Sequence, residues 1–157
     1  MRVGVISDTH SYMDPRALSL LEGVGHILHA GDIGNYSIIS ELEDLAPVTK
    51  VRGNIDREGQ SSRCPETEIV ELGHFKIYLT HELKPPKSVD DPILHDFQSA
   101  GIKIVVYGHS HVAYKQTWDG VLFFNPGAAG KKRFKVIPSI GLLELDKSGI
   151  DSEIITL

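Results

Sequence analysis

Short apolar segments that end abruptly in polar residues constrain the fold of this chain most strongly. The first of them, Val3–Ile6, is followed at once by Asp8 and His10. A glycine-containing apolar run of this kind is typical of a buried strand, and ligands of open α/β sheets lie just beyond the carboxyl ends of such strands. Alternate residues of an extended chain point the same way, so we expect both side chains to reach one ion. A single polar pair is more often a turn or a helix cap, so the interpretation depends on whether the pattern recurs.

The pattern does recur at four later apolar segments. Polar residues follow these segments in turn: Asp32, Asn54, Asp56, His81, His109 and His111. Helical spacing separates the first three strands, whereas hairpins dominate later, at 67–80, 113–124 and 137–156. The polar stretch 57–65 is predicted to be an exposed loop. This order predicts an α/β fold in which two mixed sheets pack face to face with helices outside.

Length and composition limit the alternatives. A chain of 157 residues suits one domain, 1–157, with a core of its own. No apolar run approaches the roughly 18 residues that span a bilayer, which predicts no membrane segment. The single cysteine, Cys64, excludes an intrachain disulfide and favours a reducing, cytoplasmic setting. The net charge of −5 argues against broad electrostatic capture of nucleic acid.

Two carboxylates, one amide and four imidazoles make up the candidate donor set: Asp8, His10, Asp32, Asn54, His81, His109 and His111. The set is too rich for one tetrahedral zinc ion, which takes four ligands. It suits two divalent ions with mixed nitrogen and oxygen ligands, which could be manganese, iron, nickel, zinc or magnesium. The remaining histidines have no metal-ligand spacing and are interpreted as structural: His26, His29, His74 and His95. His29, just before Gly31-Asp32, is the first candidate for an exception.

The polar motifs follow one another in a fixed order from residue 3 to about residue 127. They are Asp8-x-His10, Gly31-Asp32, Gly53-Asn54-x-Asp56, His81, Gly108-His109-x-His111 and Asn125-Pro126-Gly127. This series resembles the calcineurin-like metallophosphoesterase superfamily, and within it the small YfcE/MJ0936-type phosphodiesterases. The resemblance implies a four-layer αββα sandwich and a phosphodiesterase that hydrolyses a small phosphate ester with the help of two metal ions.

The resemblance also implies a role for each donor. One metal would be held by Asp8, His10, Asp32 and His111. The other would be held by Asp32, Asn54, His81 and His109, with Asp32 as the bridge. The two ions, with manganese as the first choice, would generate a bridging hydroxide that attacks phosphorus. Asn54, Asp56 and His109 are assigned to catalysis, with Asp56 behind the ligands to position them.

Two positions depart from the family pattern. Many members carry a histidine, a proton donor to the leaving group, where this chain has Ile55. The family usually reads His-Gly-His where this chain reads His81-Glu82-Leu83. Neither aliphatic side chain can donate a proton, which leaves the general acid open and favours esters whose leaving group needs little protonation. We therefore expect a slow or substrate-selective enzyme.

Other functions compete with this interpretation. The alternative is a catalytically weak or inactive metal-binding scaffold of the same fold, similar to the retromer subunit of the superfamily. Such a branch has an eroded ligand set, whereas every donor position here carries a competent residue. A nuclease would need a basic groove, which this acidic chain does not offer. Homodimers are common among short relatives, so a homodimer or higher homo-oligomer is also an expectation.

Overall fold

The computed structural model describes residues 1–132 and 135–157. The strands in these ranges are β1 (Arg2–Ile6), β2 (His26–His29), β3 (Val48–Lys50), β4 (Thr67–Leu72), β5 (Phe75–Thr80), β6 (Ile102–Val106), β7 (Tyr114–Trp118), β8 (Val121–Asn125), β9 (Ser139–Asp146) and β10 (Gly149–Thr156). The helices are α1 (Pro15–Leu21), α2 (Ser37–Glu43) and α3 (Pro92–Ser99), with a short 3₁₀ turn at Ser61–Arg63.

The strands form two five-stranded sheets that each mix parallel and antiparallel pairs. The order in the first sheet is β10-β9-β1-β2-β3, and the order in the second is β4-β5-β6-β8-β7. Strands β1, β2 and β3 run parallel, as do β5, β6 and β8. The hairpin strands join them in antiparallel pairs. The carboxyl ends of the parallel strands therefore share one edge within each sheet.

Apolar side chains from both sheets meet in a buried cluster between them. Val5 and Leu28 enter this cluster from the first sheet, and Leu79 and Phe124 enter it from the second. The sheets approach closely where β9 crosses β8, because a Cβ atom at Gly141 would collide with the Phe124 ring. The predicted face-to-face packing of two sheets is confirmed.

Helices cover the outer face of each sheet. Leu21 of α1 and Leu42 of α2 pack in a buried cluster on the first sheet. Leu94 of α3 packs in a second cluster on the other sheet. The order helix, sheet, sheet, helix is the predicted four-layer αββα sandwich.

The first and third helices begin with the same local signal, an aspartate followed by a proline. The Asp14 side chain accepts a hydrogen bond from the Arg16 amide, and Asp91 accepts one from the Ile93 amide. The aspartate satisfies an amide that the first helical turn leaves unpaired, and the proline has no amide to satisfy. Among the described residues, no helix is both long and apolar enough to cross a bilayer.

Two local predictions differ from the structure. The stretch 57–65, predicted as a loop, contains the 3₁₀ turn, and its Ser61 is buried and donates a hydrogen bond to the Gly34 carbonyl at 2.7 Å. This tertiary bond leaves no periodic signal in the sequence. The last hairpin begins at Ser139 rather than at residue 137, since Pro138 has no amide to donate to a strand ladder.

Candidate metal centre

All seven candidate donors follow parallel strands at their carboxyl ends. Asp8 and His10 follow β1, Asp32 follows β2, Asn54 follows β3, His81 follows β5, and His109 and His111 follow β6. Both sheets contribute, so the donors lie where the two sheets meet at one edge of the sandwich.

Asp8, His10, Asp32 and His111 form the first donor group, in which one donor atom of each residue lies within 4.8 Å of the others. His111 Nε2 lies 3.3 Å from Asp8 Oδ1, and His10 Nε2 lies 3.3 Å from Asp32 Oδ2. Both carboxylates are buried and both imidazoles are half-buried. Two acids and two imidazoles converging in this way suit a divalent cation.

Asp32, Asn54, His81 and His109 form the second donor group. His81 Nε2 lies 3.0 Å from Asn54 Oδ1 and 3.3 Å from Asp32 Oδ1, and His109 Nδ1 lies 3.1 Å from Asn54 Oδ1. His81 is buried, whereas Asn54 and His109 are exposed. The second group is therefore the side of the site that opens to solvent.

Asp32 divides its two carboxylate oxygens between the groups. Oδ2 faces His10, and Oδ1 faces His81 and accepts a hydrogen bond from the Ile55 amide at 3.0 Å. Burial acts to raise the pKa of Asp32, but the neighbouring His81 imidazole and the hydrogen bond from the Ile55 amide outweigh it, and the net pKa lies below the ordinary value. Asp32 is therefore a carboxylate at neutral pH, positioned between two sets of donors.

His81 has its ring orientation fixed from behind. Its Nδ1 lies 2.7 Å from the Ala30 carbonyl oxygen, which can only accept, so Nδ1 carries the proton. Burial acts to lower the pKa of His81, but Asp32 and the Ala30 carbonyl raise it above the ordinary value. Because Nδ1 donates the hydrogen bond to Ala30, the Nε2 lone pair of the neutral ring points towards the other candidate metal ligands of the second donor group.

Asp8 provides the test of whether these residues fit a metal. Its Oδ2 accepts hydrogen bonds from the Ser7 hydroxyl at 2.7 Å and the His109 amide at 3.1 Å. Its Oδ1 is buried and receives no hydrogen bond within residues 1–132 and 135–157. A buried carboxylate oxygen in this state is costly unless a cation faces it. The donor set and this oxygen together fit a divalent cation.

Most of the donors have left-handed backbone conformations. The φ angles are +55° at Asp8, +47° at His10, +53° at Asp32, +69° at His109 and +60° at His111. Asp8 and His10 lie beyond the end of β1 as predicted, but the expectation that they are in extended chain was wrong, although both side chains reach the same donor group. Few residues other than glycine adopt this conformation, and it turns each donor sharply out of its strand.

Close contacts account for the glycines beside the donors. A Cβ atom at Gly53 would collide with the amide and carboxylate of Asp32, and one at Gly108 would collide with the Ser7 hydroxyl. Glycine at these two positions lets the loops after β3 and β6 reach the donors of the loops after β1 and β2.

Asp56 lies behind the donors rather than among them. Its buried carboxylate accepts hydrogen bonds from the amides of Ile33 at 3.0 Å, Gly34 at 2.9 Å and Gly53 at 2.8 Å. These bonds join the loop that carries Asp32 to the loop that carries Asn54. The contacts position both loops.

Asn125 supports the loop after β6 in a similar way. Its Nδ2 donates to the Gly108 carbonyl at 2.9 Å and lies 3.1 Å from Ser110 Oγ, while Oδ1 accepts from the Gly127 amide at 2.9 Å. The sequence indicated this residue only through the family motif. Ser7 and Thr9, which also support the donors, carried no sequence signal because a hydroxyl at a strand end has many ordinary uses.

The two departures from the family pattern remove proton donors from the site. Ile55 is 41% exposed and contributes only its backbone amide to Asp32. Leu83 packs against the cluster beneath α3. Glu82, between His81 and Leu83, is exposed, and its Oε1 lies 3.8 Å from His109 Nε2.

A two-sheet αββα sandwich with carboxylate, amide and imidazole donors at one edge defines a class of metal-binding α/β proteins. Residues 1–148 match the model of the calcineurin-like phosphoesterase superfamily domain, and the chain belongs to this superfamily. A probable metallophosphoesterase of Methanothermobacter thermautotrophicus is 32% identical over 160 residues, which cover 99% of this chain and 92% of the relative. The family resemblance predicted from the motifs is confirmed.

Solved structures show the same fold. An archaeal phosphodiesterase aligns over 100% of both chains with a TM-score of 0.81 and 26% identity. Vps29 of Entamoeba histolytica, solved in complex with zinc, aligns over 99% of both chains with a TM-score of 0.75 and 23% identity. At this level of identity, the similarity to Vps29 is evidence for a shared fold.

Proposed function

We propose that this chain is a metal-dependent phosphodiesterase that hydrolyses a small phosphate ester at a centre for two metal ions. Membership of a phosphoesterase superfamily supports the reaction class. The observation that carries the finer proposal is the position of Asp32, whose Oδ2 lies 3.3 Å from His10 Nε2 and whose Oδ1 lies 3.3 Å from His81 Nε2. A carboxylate with one oxygen toward each donor group suits a bridge between two ions.

The two donor groups described above would each hold one ion, with Asp32 in both. Bound divalent cations supply Lewis-acid charge that polarises a phosphoryl oxygen and lowers the pKa of an attacking water. The mixture of nitrogen and oxygen donors suits manganese, our first choice, as well as nickel, iron, zinc and magnesium.

The chain's own residues then bind and orient the ester. Asn54 and His109 lie on the exposed side, where a substrate enters, and Asp56 positions the loop that carries Asn54. Arg57 Nε donates to the Asn54 carbonyl at 3.0 Å, which places a guanidinium at the rim of the site. A cation at this place attracts an anionic phosphate. The cytoplasmic setting and the homo-oligomeric state remain predictions from the sequence.

The test is hydrolysis of bis(p-nitrophenyl) phosphate and p-nitrophenyl phosphate by chelator-stripped protein, with manganese, nickel, zinc or magnesium added back. We expect hydrolysis of the diester only with metal, and faster than that of the monoester. Asn54→Ala removes one donor of the second group and is expected to lower kcat/KM by about 100-fold or more. Asn35→Ala, an exposed asparagine at the start of α2, is the matched control and should retain the wild-type rate.

The same assay separates the two competing functions. If calorimetry shows that metal binds and yet no metal supports hydrolysis of either ester, the phosphodiesterase proposal is wrong. That result would favour the scaffold of the same fold, and the search would then turn to protein partners.

A further inference from the structure

We propose that Glu82 is a positioning residue that sets the orientation of the His109 ring in the second donor group. This inference rests on the proposed function, because it gives His109 a metal to bind. It concerns a side chain specific to this chain, since the family pattern has glycine where Glu82 stands and glycine has no side chain to offer.

The two ring nitrogens of His109 face different neighbours. Nδ1 lies 3.1 Å from Asn54 Oδ1 and so faces the second donor group, whereas Nε2 lies 3.8 Å from Glu82 Oε1 on the other side of the ring. An imidazole that binds a metal through one nitrogen has its tautomer and orientation set by the acceptor at its other nitrogen. Asn54 Oδ1 can only accept a hydrogen bond, so Nδ1 carries the proton in the metal-free ring. A metal bound at Nδ1 would move that proton to Nε2, where the Glu82 carboxylate 3.8 Å away would attract it and restrain the ring.

The main chain brings Glu82 and His109 together. The Gly108 amide donates to the His81 carbonyl at 2.9 Å, so the end of β5 and the loop after β6 are joined one residue before both side chains. The His109 amide is held by Asp8 Oδ2 at 3.1 Å. These bonds fix the backbone of His109. Its side chain can still rotate, and a side-chain partner would be needed to restrict that rotation.

The contacts described above restrain the His109 ring less than the His81 ring. The His81 ring is buried and fixed by the Ala30 carbonyl, whereas the His109 side chain is 42% exposed. The ring of His109 meets that of His81 edge-on, with centroids 5.2 Å apart, which restrains it on one side. Glu82 lies near its Nε2 and would restrain the exposed end.

A second glutamate in the same cleft provides a matched control. Glu66 lines this cleft together with Arg52, His81 and Glu82. Its Oε1 lies 2.6 Å from an Arg52 guanidinium nitrogen, so it is already paired. Glu66→Gln therefore makes the same change of net charge in the same cleft without touching His109.

The experiment has two readouts on metal-binding geometry. Calorimetric titration of chelator-stripped protein with Mn²⁺ should resolve two binding events in the wild type. In Glu82→Gln and Glu82→Ala we expect about 10- to 100-fold weaker affinity in one event and no change in the other. NMR of the His109 ring in the Zn²⁺-loaded protein should show that the Nε2 proton exchanges with solvent faster in both Glu82 variants than in the wild type. Glu66→Gln should match the wild type in both.

Several results would overturn the inference. It is wrong if both Glu82 variants bind Mn²⁺ with the wild-type affinities and exchange the His109 Nε2 proton at the wild-type rate. It is also wrong if Glu66→Gln weakens binding by the same factor, because a general effect of charge would then explain the change. A single binding event in the wild type would overturn the two-metal proposal instead, and the proton-exchange measurement would still decide the role of Glu82.

Discussion

The His29 imidazole is fully buried and joins two loops that carry candidate donors. Its Nδ1 accepts a hydrogen bond from the Gly31 amide at 3.2 Å, and its Nε2 lies 3.0 Å from the Thr9 hydroxyl. Because Nδ1 accepts, the proton is on Nε2 and the ring is neutral. The structural role predicted for this histidine agrees with these contacts. The ring supports Asp8 and Asp32 through their neighbours.

This burial makes the stability of the metal-free protein depend on pH. Burial lowers the pKa of His29 to about 4, against about 6.5 in an unfolded chain. Between about pH 4 and pH 6.5 the imidazole therefore binds a proton in the unfolded chain, whereas it stays neutral in the native protein. The contribution of His29 is fully present above pH 6.5 and falls as the pH drops towards 4, by about 3 kcal/mol in the free energy of unfolding.

Urea denaturation of chelator-stripped protein at pH 7.5 and pH 4.5 measures this loss. His29→Gln removes the titrating group and should flatten the difference between the two pH values. His95→Gln, at an exposed position of α3, should leave the difference as in the wild type. An unchanged difference in His29→Gln would show that His29 is protonated in the native state.

At the scale of elements, the sheets meet most closely where Gly141 of β9 faces Phe124 of β8. A Cβ atom at residue 141 has no room beside the Phe124 ring. We expect Gly141→Ala to lower the free energy of unfolding by about 1–3 kcal/mol, because overpacking forces the ring from its position. Gly25→Ala is the control, since the nearest atom to its new Cβ lies at 3.5 Å, an ordinary contact.

Thermal denaturation should show the difference between these two variants. For a chain of this size about 1 kcal/mol shifts Tm by about 2–4 °C. Equal Tm values for Gly141→Ala and Gly25→Ala would mean that the two sheets can move apart without cost.

The elements themselves were predicted well because their signals are local. Apolar runs specify strands without knowledge of the rest of the chain. The turn at Asp119-Gly120 between β7 and β8 and the aspartate-proline pairs before α1 and α3 are local signals of the same kind. The 3₁₀ turn at Ser61–Arg63 was not predicted, because its support is the tertiary bond to Gly34. The left-handed backbone after β1 was also missed, since nothing in Asp8 or His10 distinguishes it from an extended end.

At the scale of the whole molecule, the candidate metal centre joins the two sheets. Asp8, His10, Asp32 and Asn54 come from loops of the first sheet, and His81, His109 and His111 come from the second. Metal binding should therefore stabilise the packing of one sheet on the other. The order of the motifs along the chain predicted these donors, whereas the supports formed by Ser7, Thr9 and Glu82 depend on tertiary contacts that no motif records.

Metal binding to the native state is expected to raise the thermal stability of chelator-stripped protein. At a free metal concentration 100 times Kd, one site contributes about 2.7 kcal/mol, which corresponds to a rise of about 5–10 °C in Tm. Titration with Mn²⁺ during thermal denaturation measures this rise. Asn54→Ala should show a smaller rise, and Asn35→Ala should show the full one. Equal rises in the two variants would exclude Asn54 as a ligand.

The left-handed conformations of five candidate donors bear on the choice between enzyme and scaffold. Each costs the folded chain about 1 kcal/mol, so together they cost about 5 kcal/mol, which is comparable with the net stability of many domains. A glycine at any of these positions would relieve part of this burden. A lineage no longer under selection for metal chemistry could acquire glycine at these positions, yet this chain has a side chain capable of binding a metal at all five.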